Sequence, residues 1–347
     1  METVTLGQTS LQISRIGFGA IPIQRLGDDD AIAVIRRCLE LGITFLDTAN
    51  QYTTSEGRIG RALDGWNGPV VLATKTQSRT AEGVAEHLAQ SLRMMRVDSI
   101  DLYQLHNVSA FADYEKVMQP GGAYETVMKA VQDGRVKHVG ITSHQIDVAK
   151  ESVKSGRFET VMYPLNFIVH EPGEELLALS DQHGVGFIAM KPFAGGMIDN
   201  ASLAMKYLLQ YPSVIPIPGV EHIPEIEEII RIVESPHELT AEESAEIERL
   251  RKETGNRFCR RCDYCQPCTA EIPISVVLAF PTMVRRMPQE NVVTGWIANA
   301  LEKAAICTSC GACEERCPYQ LPIREMLSEN VDNYRRLKEE WRASQPA

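Results

Sequence analysis

Short apolar runs alternate with amphipathic segments along the first two thirds of the chain. Eight runs have the length and composition of buried strands, at residues 16–19, 43–46, 70–74, 100–105, 138–142, 160–165, 186–190 and 214–218. Helical periodicity separates them, as at residues 28–42, 81–95, 122–133, 145–155, 174–183 and 201–209. Eight strand–helix units at a spacing of about 30 residues predict a closed (β/α)8 TIM barrel over residues 1–254, which opens with a small polar hairpin.

Polar side chains stand where three of these strands end. Asp47 follows the strand at residues 43–46, Lys75 follows residues 70–74, and His106 follows residues 100–105. Tyr52 lies in the loop five residues after Asp47. Because active sites of such barrels lie at the carboxyl ends of the strands, these four side chains are expected to share one mouth. The alternative is an internal ion pair with two satisfied polar residues in an inactive barrel.

The composition and net charge of the chain limit the kinds of partner and the location that are expected for the protein. Hydrophobic residues make up 44% and charged residues 23% of the 347, and the net charge of −11 argues against nucleic acid or anionic lipid as the main partner. No apolar run approaches the ~18 residues of a membrane span. The first ten residues, METVTLGQTS, lack the basic and apolar regions of an export signal. A soluble, cytoplasmic protein is expected.

Cysteines define a second domain. Eight of the nine cysteines form two runs, Cys259, Cys262, Cys265 and Cys268, then Cys307, Cys310, Cys313 and Cys317. The second run, CTSCGACEERCP, matches the bacterial ferredoxin pattern CxxCxxCxxxCP, so two [4Fe-4S] clusters are predicted. In the ferredoxins that this run resembles, the fourth cysteine of each run binds the other cluster, which here assigns Cys317 to the first and Cys268 to the second. The first run departs from the pattern, with two residues before Cys268 instead of three.

Disulfides and zinc sites account for the cysteines less well than clusters do. Disulfides are not expected without an export signal, and zinc sites usually draw two ligand pairs from separate knuckles. Cys38, alone in a helical segment, is predicted to be a core residue. Helical patterns at residues 275–286, 293–305 and 323–341 predict a mostly α-helical ferredoxin-like domain over residues 255–347. A basic group near the first run, Arg257, Arg260 and Arg261, could offset the anionic clusters or dock a soluble electron carrier.

Residues 1 to about 250 resemble the aldo-keto reductases, and the whole chain resembles their iron-sulfur subgroup. The segments LDTANQY, ATK and LYQLH match the family's catalytic motifs in order and spacing. The resemblance implies that Asp47, Tyr52, Lys75 and His106 form the catalytic group. A carbonyl that accepts hydride needs a proton, and an ammonium group such as Lys75 beside a phenol makes the phenol a better donor. Asp47 would hold Lys75 in place, and His106 would orient the carbonyl oxygen.

The same resemblance implies NAD(P)H as cofactor. Its predicted contacts, all near the ends of later strands, are Ser143, His144, Asn166, Met190, Lys191, Gly195, Gly196, Gly219 and Glu225. Met190 stands where the family has an aromatic residue that stacks on nicotinamide. Glu225 stands where members selective for NADPH have an arginine, so NADH is at least as plausible as NADPH. The glycines suit close approach of a phosphate but also serve as ordinary turn residues.

The number of electrons that each predicted cofactor transfers leaves the role of the clusters open. Clusters pass single electrons and hydride carries two, so the clusters are structural or serve a separate step, or a flavin such as FMN occupies the barrel mouth. The predicted function is an oxidoreductase that reduces a small carbonyl compound or oxidises the matching alcohol. The alternative is a redox sensor or electron-transfer subunit that turns no carbonyl over.

Overall fold

The computed structural model describes residues 1–345. An antiparallel hairpin, β1 (Thr3–Thr5) and β2 (Gln12–Ser14), precedes an eight-stranded parallel sheet. The sheet contains, in order of the chain, β3 (Gly17–Gly19), β4 (Phe45–Asp47), β5 (Val71–Thr76), β6 (Ile100–Leu105), β7 (Val136–Thr142), β8 (Thr160–Pro164), β9 (Gly186–Met190) and β10 (Val214–Pro216). Each strand pairs with the next one, and Gly19 N donates to Pro218 O at 2.8 Å, which joins the first strand to the segment after the last. The strands therefore form the nearly closed parallel barrel that the sequence predicts.

Helices follow the strands and cover the barrel. They are α1 (Asp28–Glu40), α2 (Ser55–Ala62), α3 (Ala81–Met95), α4 (Phe111–Met118), α5 (Ala123–Gln132), α6 (Ile146–Lys154), α7 (Glu171–His183), α8 (Ala201–Leu209) and α9 (Ile223–Val233), with a 3-10 turn at Pro22–Arg25. The sequence did not predict α4, and α7 begins three residues before its predicted start because Pro172 occupies its first turn, where proline is tolerated.

The inside of the barrel is packed with apolar side chains from alternate strand positions. Phe45, Ala73, Leu102 and Ile188 belong to one buried cluster, together with side chains of the hairpin. The hairpin lies at the amino ends of the strands, where a Cβ on Gly7 would come within 2.3 Å of the backbone nitrogen of Gly186. The hairpin thus covers one end of the barrel and leaves the carboxyl ends for a site.

The second part of the described chain is helical. It contains α10 (Ala241–Thr254), α11 (Ile274–Leu278), α12 (Phe280–Val284), α13 (Gln289–Thr294), α14 (Trp296–Ala304), α15 (Ala312–Glu315) and α16 (Ile323–Ser344). The helix predicted at residues 275–286 is divided at Ala279, before Pro281, and the one predicted at residues 293–305 is divided at Gly295. The last helix packs on this part through Ile323, Leu327 and Val331, which belong to its buried cluster.

Two compact units result. The first contains residues 1–193 and 198–239, and the second contains residues 194–197 and those from Thr240 onward. Helix α10 groups with the second unit, whereas the sequence placed it in the barrel domain; its one buried side chain is Ile247. None of the helices between residues 1 and 345 combines the length and the apolar character that crossing a membrane requires.

Candidate functional site

Three strands present polar side chains to the barrel interior at their carboxyl ends. Side chains alternate along a strand, so Asp47 faces the interior like Phe45, and Lys75 like Ala73. In the parallel register, Asp47 pairs with Ala73 and Lys75 pairs with Gln104. Lys75 lies within β5, one residue before its last, whereas it was predicted to follow the strand.

A buried ion pair forms the centre of the site. Lys75 Nζ lies 2.5 Å from Asp47 Oδ1 and donates to Thr48 O at 2.7 Å. Gln104 Nε2 donates to the second oxygen, Asp47 Oδ2, at 2.9 Å. Lys75, Asp47 and Gln104 are almost completely buried. The sequence patterns did not single out Gln104, although its place two residues after inward-facing Leu102 could have indicated it.

Burial and charge oppose each other in this pair. Burial would lower the pKa of Lys75, but the charges and hydrogen bonds of Asp47 and Tyr52 outweigh it and raise that pKa above its ordinary value. Burial raises the pKa of Asp47, against the effects of Lys75 and Gln104. Lys75 is therefore a fixed ammonium group at neutral pH.

Tyr52 and His106 complete the group. Lys75 Nζ lies 5.1 Å from the centre of the Tyr52 ring, and the Tyr52 and His106 rings meet edge to face with centres 5.8 Å apart. Burial, together with the charges of Lys75 and Arg79, holds the pKa of His106 well below its ordinary value. His106 Nδ1 is buried without a hydrogen-bond partner among the described residues. The structure thus brings all four predicted residues together, with His106 neutral.

Three residues that were predicted to contact the cofactor already form side-chain hydrogen bonds within the protein. Ser143 Oγ donates to Gln145 O at 3.1 Å. Asn166 Nδ2 donates to Lys191 O at 3.0 Å, while its Oδ1 accepts from two backbone amides of the following loop. Glu225 Oε2 accepts from two backbone amides before α9, at 2.8 and 3.0 Å. Glu225 therefore caps its own helix.

The predicted glycines also have neighbours in the protein. A Cβ on Gly219 would lie 2.8 Å from a ring carbon of Pro22. In the second unit, Gly196 has a φ of +90° and its carbonyl accepts from Arg285, and a Cβ on Gly195 would lie 3.0 Å from Thr282. These contacts explain each glycine by protein packing, and a phosphate contact stays a prediction.

His144 and Lys191 form a polar link at the strand ends. Lys191, directly after β9, has a φ of 59°, and its Nζ lies 3.0 Å from His144 Nε2. Because an ammonium group only donates, Nε2 accepts, and His144 Nδ1 donates to Asn107 Oδ1 at 3.0 Å. Met190 packs against the apolar barrel interior. Met190 is the last residue of β9, Lys191 follows it directly, and His144 lies two residues after the end of β7.

The cysteines of the second unit divide into two groups. One cavity is lined by Cys268 together with Cys307, Cys310 and Cys313, although Cys268 belongs to the first run. In the other group, burial raises the pKa of Cys265 to about 12, with further contributions from Cys259 and Cys262. Burial also raises the pKa of Cys262, and its charge interactions include Cys317 of the second run. The cavity thus joins three cysteines of the second run with Cys268 of the first, and Cys317 of the second run interacts electrostatically with Cys262 of the first.

Across residues 1–345, no three cysteine, histidine or acidic side chains converge as ligands of one metal ion. The nine cysteines carry no disulfide. Cys38 is fully buried in α1, and its burial raises the pKa of its thiol to about 12.

The basic side chains near the first run have partners within the second unit. Arg257 pairs with Glu325 and Glu329 at 2.7 and 2.5 Å. Arg260 stacks over Tyr319 at 4.2 Å, and burial lowers the pKa of Arg261 against the charges of Cys259 and Asp263. Arg257 thus forms ion pairs within the second unit, and docking of a soluble electron carrier by this group stays a prediction.

Comparison with known proteins agrees with this architecture. Residues 15–203 match the aldo/keto reductase family, and residues 258–322 match the 4Fe-4S dicluster domain. The chain belongs to the aldo/keto reductase family, carries a 4Fe-4S ferredoxin-type domain, and is an oxidoreductase.

Relatives and solved structures cover between about half and three quarters of this chain. An uncharacterized oxidoreductase of Bacillus subtilis, YqkF, is 30% identical over 225 residues, 59% of this chain and 71% of its own length. L-galactose dehydrogenase of Arabidopsis thaliana is 28% identical over 57% of this chain and 67% of its own. The holo structure of aldo-keto reductase AKR11C1 from Bacillus halodurans superposes with a TM-score of 0.63 at 27% identity, over 72% of this chain and 96% of its own.

Proposed function

We propose that this protein reduces a small carbonyl compound, or oxidises the matching alcohol, with NADH or NADPH and with Tyr52 as the general acid. The observation that carries the proposal is the Lys75 ammonium group, held by Asp47 and placed against Tyr52 inside a barrel mouth. Buried, pre-oriented charges of this kind act most strongly on a proton that moves in the reaction.

The chain's own residues handle the proton and the orientation. Tyr52 donates its hydroxyl proton to the carbonyl oxygen, and Lys75 stabilises the phenolate that remains. Asp47, itself fixed by Gln104, holds Lys75 in place. His106, neutral because of its low pKa, can donate one N–H to the carbonyl oxygen and direct it toward Tyr52.

A nicotinamide cofactor supplies the hydride in this chemistry. Of the predicted contacts, Met190 and Lys191 fit best, because they lie at the carboxyl end of β9 and Lys191 carries a positive charge. His144, Ser143, Asn166 and Glu225 fit less well, since their polar atoms are hydrogen-bonded within the chain.

The second unit is proposed to hold two [4Fe-4S] clusters. Cys259, Cys262, Cys265 and Cys317 would bind one cluster, and Cys268, Cys307, Cys310 and Cys313 the other. The two sets of cysteines described above support this crossed assignment. Bound clusters supply one-electron transfer, and the pairing of a hydride-handling barrel with them is compatible with a soluble electron carrier as partner.

Anaerobic turnover tests the proposal. Protein purified without oxygen is given NADH or NADPH with a panel of aldehydes and ketones, and cofactor oxidation is compared with alcohol formed. Equal amounts of both are expected. No alcohol formed from any carbonyl, with cofactor oxidation that matches only the reduction of the clusters, would instead support a sensor or electron-transfer role. FMN released by acid would show that the protein carries a flavin.

A further inference from the structure

A buried carboxylate that the proposed mechanism does not use lies behind the candidate site. Glu56, in the first turn of α2, is 4% exposed. Its Oε1 accepts a hydrogen bond of 2.6 Å from Thr74 Oγ1. Thr74 is fully buried and lies between inward-facing Ala73 and Lys75, so its side chain points outward from the barrel toward the helices. A buried carboxylate is costly unless it has hydrogen-bond partners.

This hydrogen bond connects the two segments that carry the proposed proton donor and its cation. Thr74 directly precedes Lys75 on β5, and Glu56 follows Tyr52 by four residues. Ser55 N donates to Tyr52 O at 2.8 Å, so the Tyr52 backbone is bound directly to the start of α2.

The neighbouring residue Ser55 also holds the start of α2 by hydrogen bonds. Ser55 Oγ shares a 2.8 Å hydrogen bond with Thr48 Oγ1, next to Asp47, and lies 3.1 Å from Ala20 O, to which it can donate. Ser55 thus ties the start of α2 to β4, and Glu56 ties it to β5.

We propose that Glu56 is a positioning residue, which holds the Tyr52 loop against strand β5 through Thr74 and so sets the distance between Tyr52 and Lys75. This inference rests on the proposed function of Tyr52. Misplacement of a reacting group by about 1 Å can lower a rate about a hundredfold, so the hydrogen bond bears on turnover as well as on stability.

Three variants separate the hydrogen bond from the charge. Glu56→Ala removes the acceptor, Thr74→Val removes the donor but keeps the carboxylate, and Glu56→Gln removes the charge but keeps an acceptor. Burial raises the pKa of Glu56, against the effects of its hydrogen bonds and of the charges of His87 and Lys75, so Glu56→Gln measures separately what the charge contributes. Glu174→Ala is the matched control, because Glu174 accepts from two tyrosines, both at 2.6 Å, elsewhere in the helix layer.

Steady-state kinetics and thermal unfolding give the result. Glu56→Ala and Thr74→Val should lower kcat about 10- to 100-fold with KM within about twofold, because the reacting groups and not the binding contacts are displaced. Glu56→Gln should keep kcat within about threefold of the parent, and Glu174→Ala should leave kcat unchanged even if it unfolds at lower temperature.

Several results would overturn this inference. Parental kcat in folded Glu56→Ala or in Thr74→Val would overturn the inference, and if Glu56→Ala does not fold, Thr74→Val decides. Equal losses in Glu56→Gln and Glu56→Ala would assign the effect to the charge and also overturn it. If Tyr52→Phe keeps turnover, the proposed function itself fails; if Tyr52→Phe is inactive and Glu56→Ala is normal, this inference alone fails.

Discussion

Lys75 Nζ lies 2.5 Å from Asp47 Oδ1 with side chains that are only 1% and 3% exposed. An ion pair so deeply buried contributes little net stability, since desolvation offsets the attraction of its charges. Its geometry instead places a permanent positive charge against Tyr52. The proposed chemistry depends on that arrangement.

Removal of one partner of this pair should be more harmful than removal of both. Asp47→Leu leaves the Lys75 charge buried and should destabilise the barrel by about 3–5 kcal/mol. The double variant Asp47→Leu with Lys75→Met should recover most of that loss, because it leaves no buried charge. Urea unfolding followed by Trp66, after replacement of Trp296 and Trp341 by phenylalanine, reports on the barrel. A double variant less stable than Asp47→Leu would contradict the interpretation.

Gln104 should affect both turnover and stability. Gln104→Leu removes the donor to Asp47 Oδ2, and the carboxylate becomes freer to move away from Lys75. The buried Asp47 Oδ2 then lacks this donor, which should cost about 1–3 kcal/mol, offset in part because Gln104 Oε1 is itself buried without a partner in the described chain. We expect kcat to fall about tenfold, measured against the parent under anaerobic conditions. Unchanged kcat would mean that Gln104 does not hold Asp47 in place.

His106 should not titrate in the range usual for histidine. Burial and the nearby charges of Lys75 and Arg79 lower its pKa, so it stays neutral as the pH falls through about 6.5, where a free histidine takes up its proton. The unfolded chain binds that proton first, so this group makes the fold less stable as the pH falls below about 6.5. NMR of histidine labelled with carbon-13, with His106→Asn to assign the signal, measures the titration. A midpoint at or above the ordinary value would refute a neutral His106.

Each crossing cysteine should control a different cluster. Cys268→Ser should remove the cluster of the second run and Cys317→Ser that of the first, and each should lower iron from about eight to about four atoms per chain. Cys38→Ala is the control and should keep all the iron, since Cys38 is buried in the first unit. Iron and sulfide analysis shows how many clusters each variant keeps, and low-temperature EPR shows whether the two serine variants lose different clusters. If both serine variants lost the same EPR signal, the crossed assignment would be wrong.

The sequence predicted the parts of the fold that depend on local pattern. Apolar runs ending in Asp47 and His106 gave the barrel and its mouth, because strand ends meet at one edge. Gln104 and Glu56 were missed, since each matters through a partner distant in sequence, Asp47 and Thr74 respectively. Two helices of the second unit were each predicted as continuous, although Pro281 and Gly295 could have indicated where each one divides. The partners of Ser143, Asn166 and Glu225 depend on loop conformation, which residue types alone do not specify.

The central claim is proton donation by Tyr52. Its most direct test is single-turnover hydride transfer in anaerobic Tyr52→Phe, with cluster content measured in the same sample. Tyr124→Phe is the control, because its hydroxyl donates to Arg157 O in the helix layer. We predict that Tyr52→Phe slows the reaction about 10²- to 10⁴-fold with full cluster content, while Tyr124→Phe reacts at the parental rate. A Tyr52→Phe rate within about threefold of the parent would contradict the account.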